Sequence, residues 1–261
     1  MRVVQHNCKR NYAVCQATFE VGLDIGADIL CIQEPYLGGK GMLHPAYDFR
    51  FSMCGEYRQQ RVAVGVKRDL KGRLIVESRS DIVDHPYIQV LDVWELDSQG
   101  KKKRRTRIVN VYDNWVGEGH PWSGTSSLRR RAIDDVNWDA IITNRTLLLG
   151  DFNAHSPYWN PACQHRQRAD RLEFIIDQYG LIVNNDTTVA TRPKKSPGLS
   201  IIDLTLTTPD IGFLSAWTID PDYATPSDHE LITFDVEALN QEKGILSPST
   251  DVTGWDGQSK I

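Results

Sequence analysis

Short apolar runs recur along the chain, and several of them are followed at once by acidic or amide side chains. The clearest is Leu147-Leu148-Leu149, which ends at Gly150. A short continuous apolar run of this kind predicts a strand buried on both faces. Asp151 and Asn153 follow it, and in extended chain their side chains project the same way. Since Gly, Asp and Asn are also turn formers, this segment alone predicts either a turn or a polar site.

The other apolar runs predict further strands and hairpins by their alternation and by the turn residues around them. Single strands are expected at Arg2–Asn7, Ile29–Ile32, Val62–Val66, Leu74–Val76 and Leu231–Val236. One hairpin is expected from Ile88–Leu96 and Arg107–Tyr112, with the basic segment Lys101–Arg105 as its tip, and a second from Val189–Arg192 and Ile201–Thr207 around a Lys194–Gly198 turn.

Three segments have the spacing of amphipathic helices. The first runs from an Asn11 cap to about Gly26, the second covers Ser127–Ile142, and the third covers Ala169–Tyr179 and ends at Gly180. Many strands with about three helices, in β-β-α alternation, predict an α/β fold in which two packed sheets are flanked by helices.

Composition narrows the class of protein. With 261 residues, 40% of them hydrophobic, the chain can bury one large core. A net charge of −4 argues against a general polyanion binder. Five cysteines without a CxxC pair indicate reduced thiols rather than a disulfide framework or a zinc site. No apolar run approaches the ~20 residues of a membrane span and no leader segment is evident, so we expect a soluble intracellular domain.

Polar side chains at the predicted strand ends form one chemical set. Its members are Asn7, Glu34, Tyr112, Asp151, Asn153, Asp203, Asp228 and His229. Asp203 stands in an otherwise apolar run, where a carboxylate needs a partner. Mg²⁺ prefers oxygen ligands and keeps several waters, so one or two carboxylates suffice to hold it. Together with an imidazole, such groups are suited to phosphodiester hydrolysis.

Three short motifs, in order along the chain, make this set recognisable. Gln33-Glu34-Pro35, Gly150-Asp151-Phe152-Asn153 and Ser227-Asp228-His229 resemble those of the endonuclease/exonuclease/phosphatase superfamily. The resemblance covers residues 1–238 and implies a DNase I-like four-layer α/β sandwich of two mixed sheets. Residues 239–261 are polar and without periodicity, which is typical of a linker or tail.

The residues that flank these motifs favour one branch of the superfamily. Gln33–Tyr36 and Asn153–Trp159 resemble endonuclease domains of non-LTR (LINE-type) retrotransposons, which are apurinic-endonuclease-like. Repair enzymes of that branch place an aromatic residue just before the position of Asp203, but Ser200–Ile202 stand here. The resemblance thus implies a monomeric nuclear domain that nicks double-stranded target DNA. The nick would leave a 3′-hydroxyl that primes a reverse transcriptase further along the same polyprotein.

The resemblance also implies a role for each strand-end residue. Glu34 would be the main Mg²⁺ ligand, with Asn7 and Asp228 assisting and Mn²⁺ able to substitute for Mg²⁺. Asp151 would position or deprotonate the attacking water, and Asn153 would hold that geometry. His229, oriented by Asp203, would stabilise the transition state, with Tyr112 as a phosphate contact. Whether Asp151 or His229 is the base stays open.

Basic and polar residues outside this set are candidates for DNA contacts. Thr191, Arg192, Lys194 and Lys195 would touch the DNA backbone if they share the catalytic face, and ordinary surface polarity explains them equally well. Two other functions stay in view: a phosphatase or phosphodiesterase of the same fold acting on phosphoinositides or sphingolipids, and a catalytically inactive nucleic-acid-binding module. The first is disfavoured by Tyr112, and the second because every catalytic residue is present.

Overall fold

The computed structural model describes residues 1–39, 42–52, 60–70, 72–116, 130–193 and 200–237. Three α-helices occur in these ranges: α1 Tyr12–Asp24, α2 Trp138–Ile141 and α3 Asp170–Tyr179. The strands are β1 Arg2–Asn7, β2 Ile29–Gln33, β3 Tyr47–Arg50, β4 Val62–Lys67, β5 Leu74–Ser78, β6 Ile88–Leu96, β7 Lys102–Tyr112, β8 Trp115–Val116, β9 Arg130–Arg131, β10 Thr146–Asp151, β11 Ile182–Val183, β12 Asp203–Thr207, β13 Ser215–Ile219 and β14 Ile232–Asp235.

These strands form two six-stranded sheets and one small ribbon. The first sheet has the order β13-β14-β1-β2-β4-β3, the second has the order β11-β12-β10-β7-β6-β5, and β8 pairs with β9. Both large sheets are mixed, because β1 is parallel to β2 and β10 is parallel to β7 while the other pairings are antiparallel. These two mixed sheets confirm the predicted α/β fold class.

The two sheets pack face to face, and helices cover their outer faces. Leu147 and Leu149 of β10 lie in a core shared with Ile29 of β2 and Ile232 of β14. Leu148 points the other way, into a core with residues of α2 and α3. A third core packs α1 against the first sheet. This is the expected four-layer sandwich, and it explains why the leucine run is apolar on both faces.

Gly150 is required by the close pairing of β10 with β7. Its φ is 143°, and a Cβ at this position would lie 1.9 Å from the carbonyl oxygen of Val111. Any side chain would force these two strands apart. The glycine thus fixes where Asp151 leaves the sheet.

Two helix predictions are confirmed. Asn11 caps α1 by accepting hydrogen bonds from the amides of Ala13 (2.9 Å) and Val14 (3.3 Å). Helix α3 ends at Gly180, which adopts a left-handed φ of 59°. Among the described residues no helix is both long and apolar enough to cross a membrane. Four described cysteines, Cys8, Cys15, Cys31 and Cys163, are free thiols.

Two predictions about the middle of the chain are wrong. In the described part of Ser127–Ile142 there is no continuous helix: β9 is followed by a 3₁₀ turn at Ala132–Asp134 and by the single turn α2. The buried side chain of Arg131 is the physical reason, because it pairs with Asp113 and keeps the backbone extended. The basic hairpin tip is also misplaced: Lys102 already belongs to β7, and Asp97 closes the turn by accepting from the amides of Gln99 and Lys101.

The second predicted hairpin is likewise absent from the described residues. Residues 189–192 form no strand, and β12 pairs with β10 and with the short β11 instead. The amides of Thr191 and Arg192 both donate to the carbonyl of Ser200, so the segment is held as a loop against the start of β12. Strands β3 and β13, which pair at the two edges of the first sheet, were not predicted.

Candidate active site

The predicted polar residues meet at one end of the sandwich because of the strand directions. Asn7 is paired with Gln33, the residue before Glu34, at the carboxyl ends of the parallel strands β1 and β2. Asp151 is paired with Tyr112 across the parallel strands β10 and β7. Asp203 begins the antiparallel strand β12 and is paired with Asp151. The polar strand ends of both sheets therefore lie at the same edge of the sandwich.

Asp151 is the centre of the contacts at this edge. Its carboxylate is buried and accepts a hydrogen bond of 2.8 Å from Nδ2 of Asn7 and one of 2.9 Å from the amide of Asn153. Asn153 has a left-handed φ of 47°, and its side-chain amide donates to the carbonyl of Asp113 at 3.2 Å. A strained non-glycine backbone held by several hydrogen bonds is typical of functional sites.

His229 lies between two carboxylates. Its Nδ1 is 3.0 Å and 2.9 Å from the two carboxylate oxygens of Asp203, and its Nε2 is 3.9 Å from Oδ2 of Asp151. The ligand atoms of these three buried residues lie within 4.8 Å of one another. The predicted pairing of Asp203 with His229 is what the structure shows.

Burial and neighbouring charge shift the pKa values of this group. Burial, together with the negative charge of Asp203, raises the pKa of Asp151 to about 7. Burial lowers the pKa of His229, but the charge and hydrogen bond of Asp203 outweigh it and raise that pKa to about 9. The imidazole is therefore held as a cation at neutral pH, whereas Asp151 titrates near neutrality.

Glu34 and Tyr112 form the second half of the site. Glu34 is half-buried with a left-handed φ of 47°, and its amide donates to the carbonyl of Arg61 at 2.8 Å. Burial, the charges of Glu34 and Asp151, and a hydrogen bond to Glu34 raise the pKa of the Tyr112 hydroxyl. That hydroxyl also accepts a hydrogen bond of 3.2 Å from Asn114. Glu34 and Tyr112 are thus side by side.

Asp228 is engaged differently from the predicted metal ligands. One of its oxygens is 2.9 Å from the ammonium of Lys9, and the other accepts from Nε and Nη2 of Arg192 at 3.1 Å and 2.8 Å. Two cations hold the pKa of this carboxyl well below its usual range despite its burial. A ligand role for Asp228 stays a prediction, as do those of Glu34 and Asn7.

The residues proposed to touch DNA fall into three groups. The hydroxyl of Thr191 is fully buried and accepts hydrogen bonds from the amides of Ile202 and Asp203, both at 3.1 Å. A DNA contact of this side chain is therefore not supported, and its position explains how Asp203 is held instead. Arg192 is part-exposed and paired with Asp228. Lys194 and Lys195 lie outside the described residues.

Two residues support the site without having been assigned a role from the sequence: Asp113 had no signal there, and Ser227 appeared only as the first residue of the Ser227–His229 motif. Asp113 is fully buried and bonds through its carboxylate to Arg131 and through its amide to the carbonyl of Asp151 at 2.7 Å. Ser227 donates to the carbonyl of Asn7 at 2.9 Å and accepts from the amide of His229 at 3.1 Å. Each links a strand end of one segment to a loop far away in sequence, which local patterns do not encode.

A hard divalent cation fits the Glu34 side of this edge. Glu34 and the amide oxygen of Asn7 offer oxygen atoms only, which is the donor set that Mg²⁺ prefers. The Asp151–Asp203–His229 group is also large enough to hold a metal ion. There, however, an imidazole held as a cation would oppose a second positive charge, and Glu34 and Asn7 stay the predicted ligands.

Part of this chain is similar in sequence to a known protein family. A family model described as endonuclease-reverse transcriptase matches residues 129–233, the segment that carries Asp151, Asp203 and His229. This match and the fold confirm the resemblance drawn from the motifs. Residues 129–233 are thus similar to endonuclease-reverse transcriptases. The family description agrees with the predicted enzyme class, a phosphodiesterase that cleaves DNA. The chain matches none of the curated proteins compared with it.

Several solved structures share the fold of this chain. The endonuclease domain of TRAS1, a telomere-specific non-LTR retrotransposon, superposes with a TM-score of 0.70 at 20% identity over 91% of this chain and 99% of that one. The catalytic domain of APE2 from Xenopus laevis gives 0.59 at 16%, over 90% and 91%. The AP endonuclease LMAP from Leishmania major gives 0.57 at 11%, over 89% and 86%. At these identities the likeness establishes the DNase I-like architecture.

Proposed function

We propose that this chain is a Mg²⁺-dependent endonuclease that nicks double-stranded target DNA during non-LTR retrotransposition. The observation that carries the proposal is that five side chains meet at one edge of the sandwich: Glu34, Tyr112, Asp151, Asn153 and His229. Three of them, Asp151, Asn153 and His229, lie in the residues that the endonuclease-reverse transcriptase model matches. The TRAS1 neighbour is described as a retrotransposon endonuclease domain, which agrees with this role.

The two buried titratable groups, Asp151 and His229, have different roles in hydrolysis. Asp151 has a pKa of about 7 and is the general base that takes a proton from the attacking water. His229, held as a cation by Asp203, faces the same place through Nε2 and stabilises the charge that develops on the phosphate oxygens. Both pKa values are raised, but that of Asp151 lies near neutrality and that of His229 above it, so Asp151 can act as the base while His229 stays cationic.

The remaining residues orient the phosphodiester. A divalent ion held by Glu34 and Asn7 would supply positive charge to the phosphate. Tyr112 offers its hydroxyl next to Glu34, and Asn153 is fixed by Asp113 so that its strained backbone keeps Asp151 in place. With water attacking and the 3′-oxygen leaving, the products are a 3′-hydroxyl and a 5′-phosphate.

Abasic-site repair is the disfavoured variant of this chemistry. Ile201 and Ile202 are buried in the core before Asp203, and the carbonyl of Ile201 accepts from the indole of Trp159 at 3.0 Å. No aromatic ring stands at Ser200–Ile202 to line a pocket for an abasic sugar. We therefore propose an ordinary duplex as substrate.

The proposal is tested by nicking supercoiled plasmid with Mg²⁺, with Mn²⁺ and with EDTA. We expect open-circular product with either ion and none with EDTA. The nicked plasmid should be extended directly by a DNA polymerase, which requires a 3′-hydroxyl. Nicking in EDTA, or ends that need phosphatase treatment before extension, would contradict the proposed chemistry.

We also propose what uses the product of the reaction, where the reaction takes place and in which oligomeric state the domain acts. The 3′-hydroxyl would prime a reverse transcriptase encoded further along the same polyprotein, and the target DNA places this step in the nucleus. The domain would act as a monomer. Cross-linking of the purified domain during nicking, together with its sedimentation, tests the last point, and a dimer as the active species would refute it.

A further inference from the structure

Three residues with left-handed backbone meet at the Glu34 side of the site. Lys9, Arg10 and Glu34 have φ values of 49°, 53° and 47°. Hydrogen bonds hold them together: the amide of Lys9 donates to Oδ1 of Asn7 at 2.9 Å, and that of Arg10 donates to the carbonyl of Glu34 at 2.7 Å. Non-glycine residues adopt this conformation at a cost, and several together point to a functional constraint.

The two basic side chains on this loop are used differently. Lys9 is paired with Asp228, so its charge is neutralised within the protein. Arg10 is exposed, and its guanidinium has no hydrogen bond or ion pair with any residue in the described ranges. The strained loop therefore presents one available cation beside the proposed metal ligands.

Two tyrosines stand next to this cation. Tyr12 is 51% exposed, and its ring lies edge-to-face against Tyr36, with centroids 5.7 Å apart and planes at 72°. The amide of Tyr36 donates to Sγ of Cys15 at 3.3 Å, which fixes the backbone beneath the ring. A Cβ on Gly38 would lie 2.6 Å from the Tyr36 hydroxyl, so that glycine leaves room for the ring.

Arg10 and Tyr36, with Leu37 and Gly38, line a cavity of about 330 Å³. That volume is at the lower end of small-ligand sites, which begin at about 300 Å³. A guanidinium pairs with a phosphate, and an aromatic ring packs against a base or sugar in a sequence-tolerant way. The hydrogen bond from the Arg10 amide to the carbonyl of Glu34 connects this lining to the catalytic edge.

We infer that the cavity lined by Arg10 and Tyr36, with Tyr12 packed against the Tyr36 ring, is a subsite for one nucleotide next to the scissile phosphate. Arg10 binds that nucleotide's phosphate, and the tyrosine pair packs against its sugar and base. The inference rests on the proposed DNA-nicking function and adds a part of the DNA that the catalytic residues do not reach. None of the residues that we had proposed to bind DNA belongs to this cavity.

The test compares Arg10→Gln and Tyr36→Leu with wild type, using anisotropy of a labelled duplex in EDTA so that no cleavage occurs. We expect each variant to weaken binding about five- to tenfold. Arg10→Gln should also reduce the slope of log K against log salt by about 1, whereas Tyr36→Leu should leave that slope unchanged. Arg10→Lys should restore the slope, and Tyr36→Phe should restore the affinity.

Matched controls come from the opposite end of the sandwich. Lys103 is exposed near the start of β7, roughly 30 Å along that strand from Tyr112. Phe213 is 79% exposed and follows the far end of β12. Lys103→Gln and Phe213→Leu remove the same charge and a comparable ring, and we expect binding to match wild type. Thermal melting of every variant shows whether a loss of binding is a loss of folding.

A phosphate scan identifies the nucleotide. Single methylphosphonates, which remove one charge, are placed at each phosphate within three nucleotides of the cut. One of these substitutions should weaken DNA binding by wild type but not by Arg10→Gln. The variant already lacks the guanidinium that would contact this phosphate, so removing the phosphate charge costs it nothing further. If wild type nicks plasmid but no phosphate couples to Arg10, the subsite is refuted while the nuclease function stands. If wild type does not nick at all, the proposed function itself fails.

Discussion

Replacing Asp203 by Asn should change the protonation of His229 more than any other single substitution. The two carboxylate oxygens of Asp203 lie 3.0 Å and 2.9 Å from Nδ1 of His229, and their charge opposes the effect of burial. An asparagine keeps the shape but removes the charge. Burial then acts with less opposition, and we expect the pKa of His229 to fall by about 2 units.

The same interaction makes stability depend on pH. Because the pKa of His229 is raised from 6.5 to about 9 in the folded protein, its contribution is fully present below pH 6.5 and is lost as pH rises through 9. A shift of this size corresponds to roughly 3 kcal/mol. Asp203→Asn should therefore lower the free energy of unfolding by about 2–3 kcal/mol at pH 6 and by much less at pH 9.5.

Two measurements check this prediction. Urea unfolding of wild type and Asp203→Asn at pH 6 and pH 9.5 gives the difference in free energy at each pH. NMR titration of labelled histidine rings, with His229→Gln to assign the signal, gives the pKa directly. An equal loss of stability at both pH values, or an unchanged titration midpoint for His229, would refute the proposed coupling.

Three further predictions concern the metal, the substrate and the fold. Glu34→Gln keeps the shape of the proposed Mg²⁺ ligand but not its charge, so nicking in Mg²⁺ should fall at least 100-fold, and wild-type activity would rule the assignment out. A duplex with one abasic analogue should be cut no faster than the intact duplex, because no aromatic ring precedes Asp203; a strong preference for it would move the chain to the repair branch. Gly150→Ala should cost about 3 kcal/mol or more and lower the melting temperature by roughly 10 °C, because its Cβ would lie 1.9 Å from the Val111 carbonyl oxygen. A melting temperature equal to wild type would show that β10 and β7 can separate freely.

The sequence predicted the strand ends well because polar residues after apolar runs are a local signal. Asp151 and Asn153 after the leucine run were placed correctly, and so was the pairing of Asp203 with His229. Contacts between distant segments were not predictable in this way. The Arg131–Asp113 pair turned an expected helix into strand β9, and Thr191 proved to be a buried support of Asp203 rather than a surface residue.

Charge runs were the least informative signal. The basic segment Lys101–Arg105 suggested an exposed hairpin tip, yet Arg104 pairs with Glu95 and Lys102 pairs with Glu77 at 2.5 Å. Among the described residues of the loop after β1, Arg10 is the available cation beside the site, and its only basic neighbour in the sequence is Lys9. Its significance comes from its strained backbone and its tyrosine neighbours, and both depend on the folded chain.

The central claim is that Asp151 is the base of a hydrolytic site built from the ends of both sheets. Its most direct test is single-turnover nicking of a defined duplex in Mg²⁺ by wild type and by Asp151→Asn, with duplex binding measured alongside. Asn preserves the size of the side chain but cannot take up a proton. We predict that the rate falls by at least three orders of magnitude while duplex affinity stays within about twofold. A variant that binds DNA normally and nicks it at the wild-type rate would contradict the account.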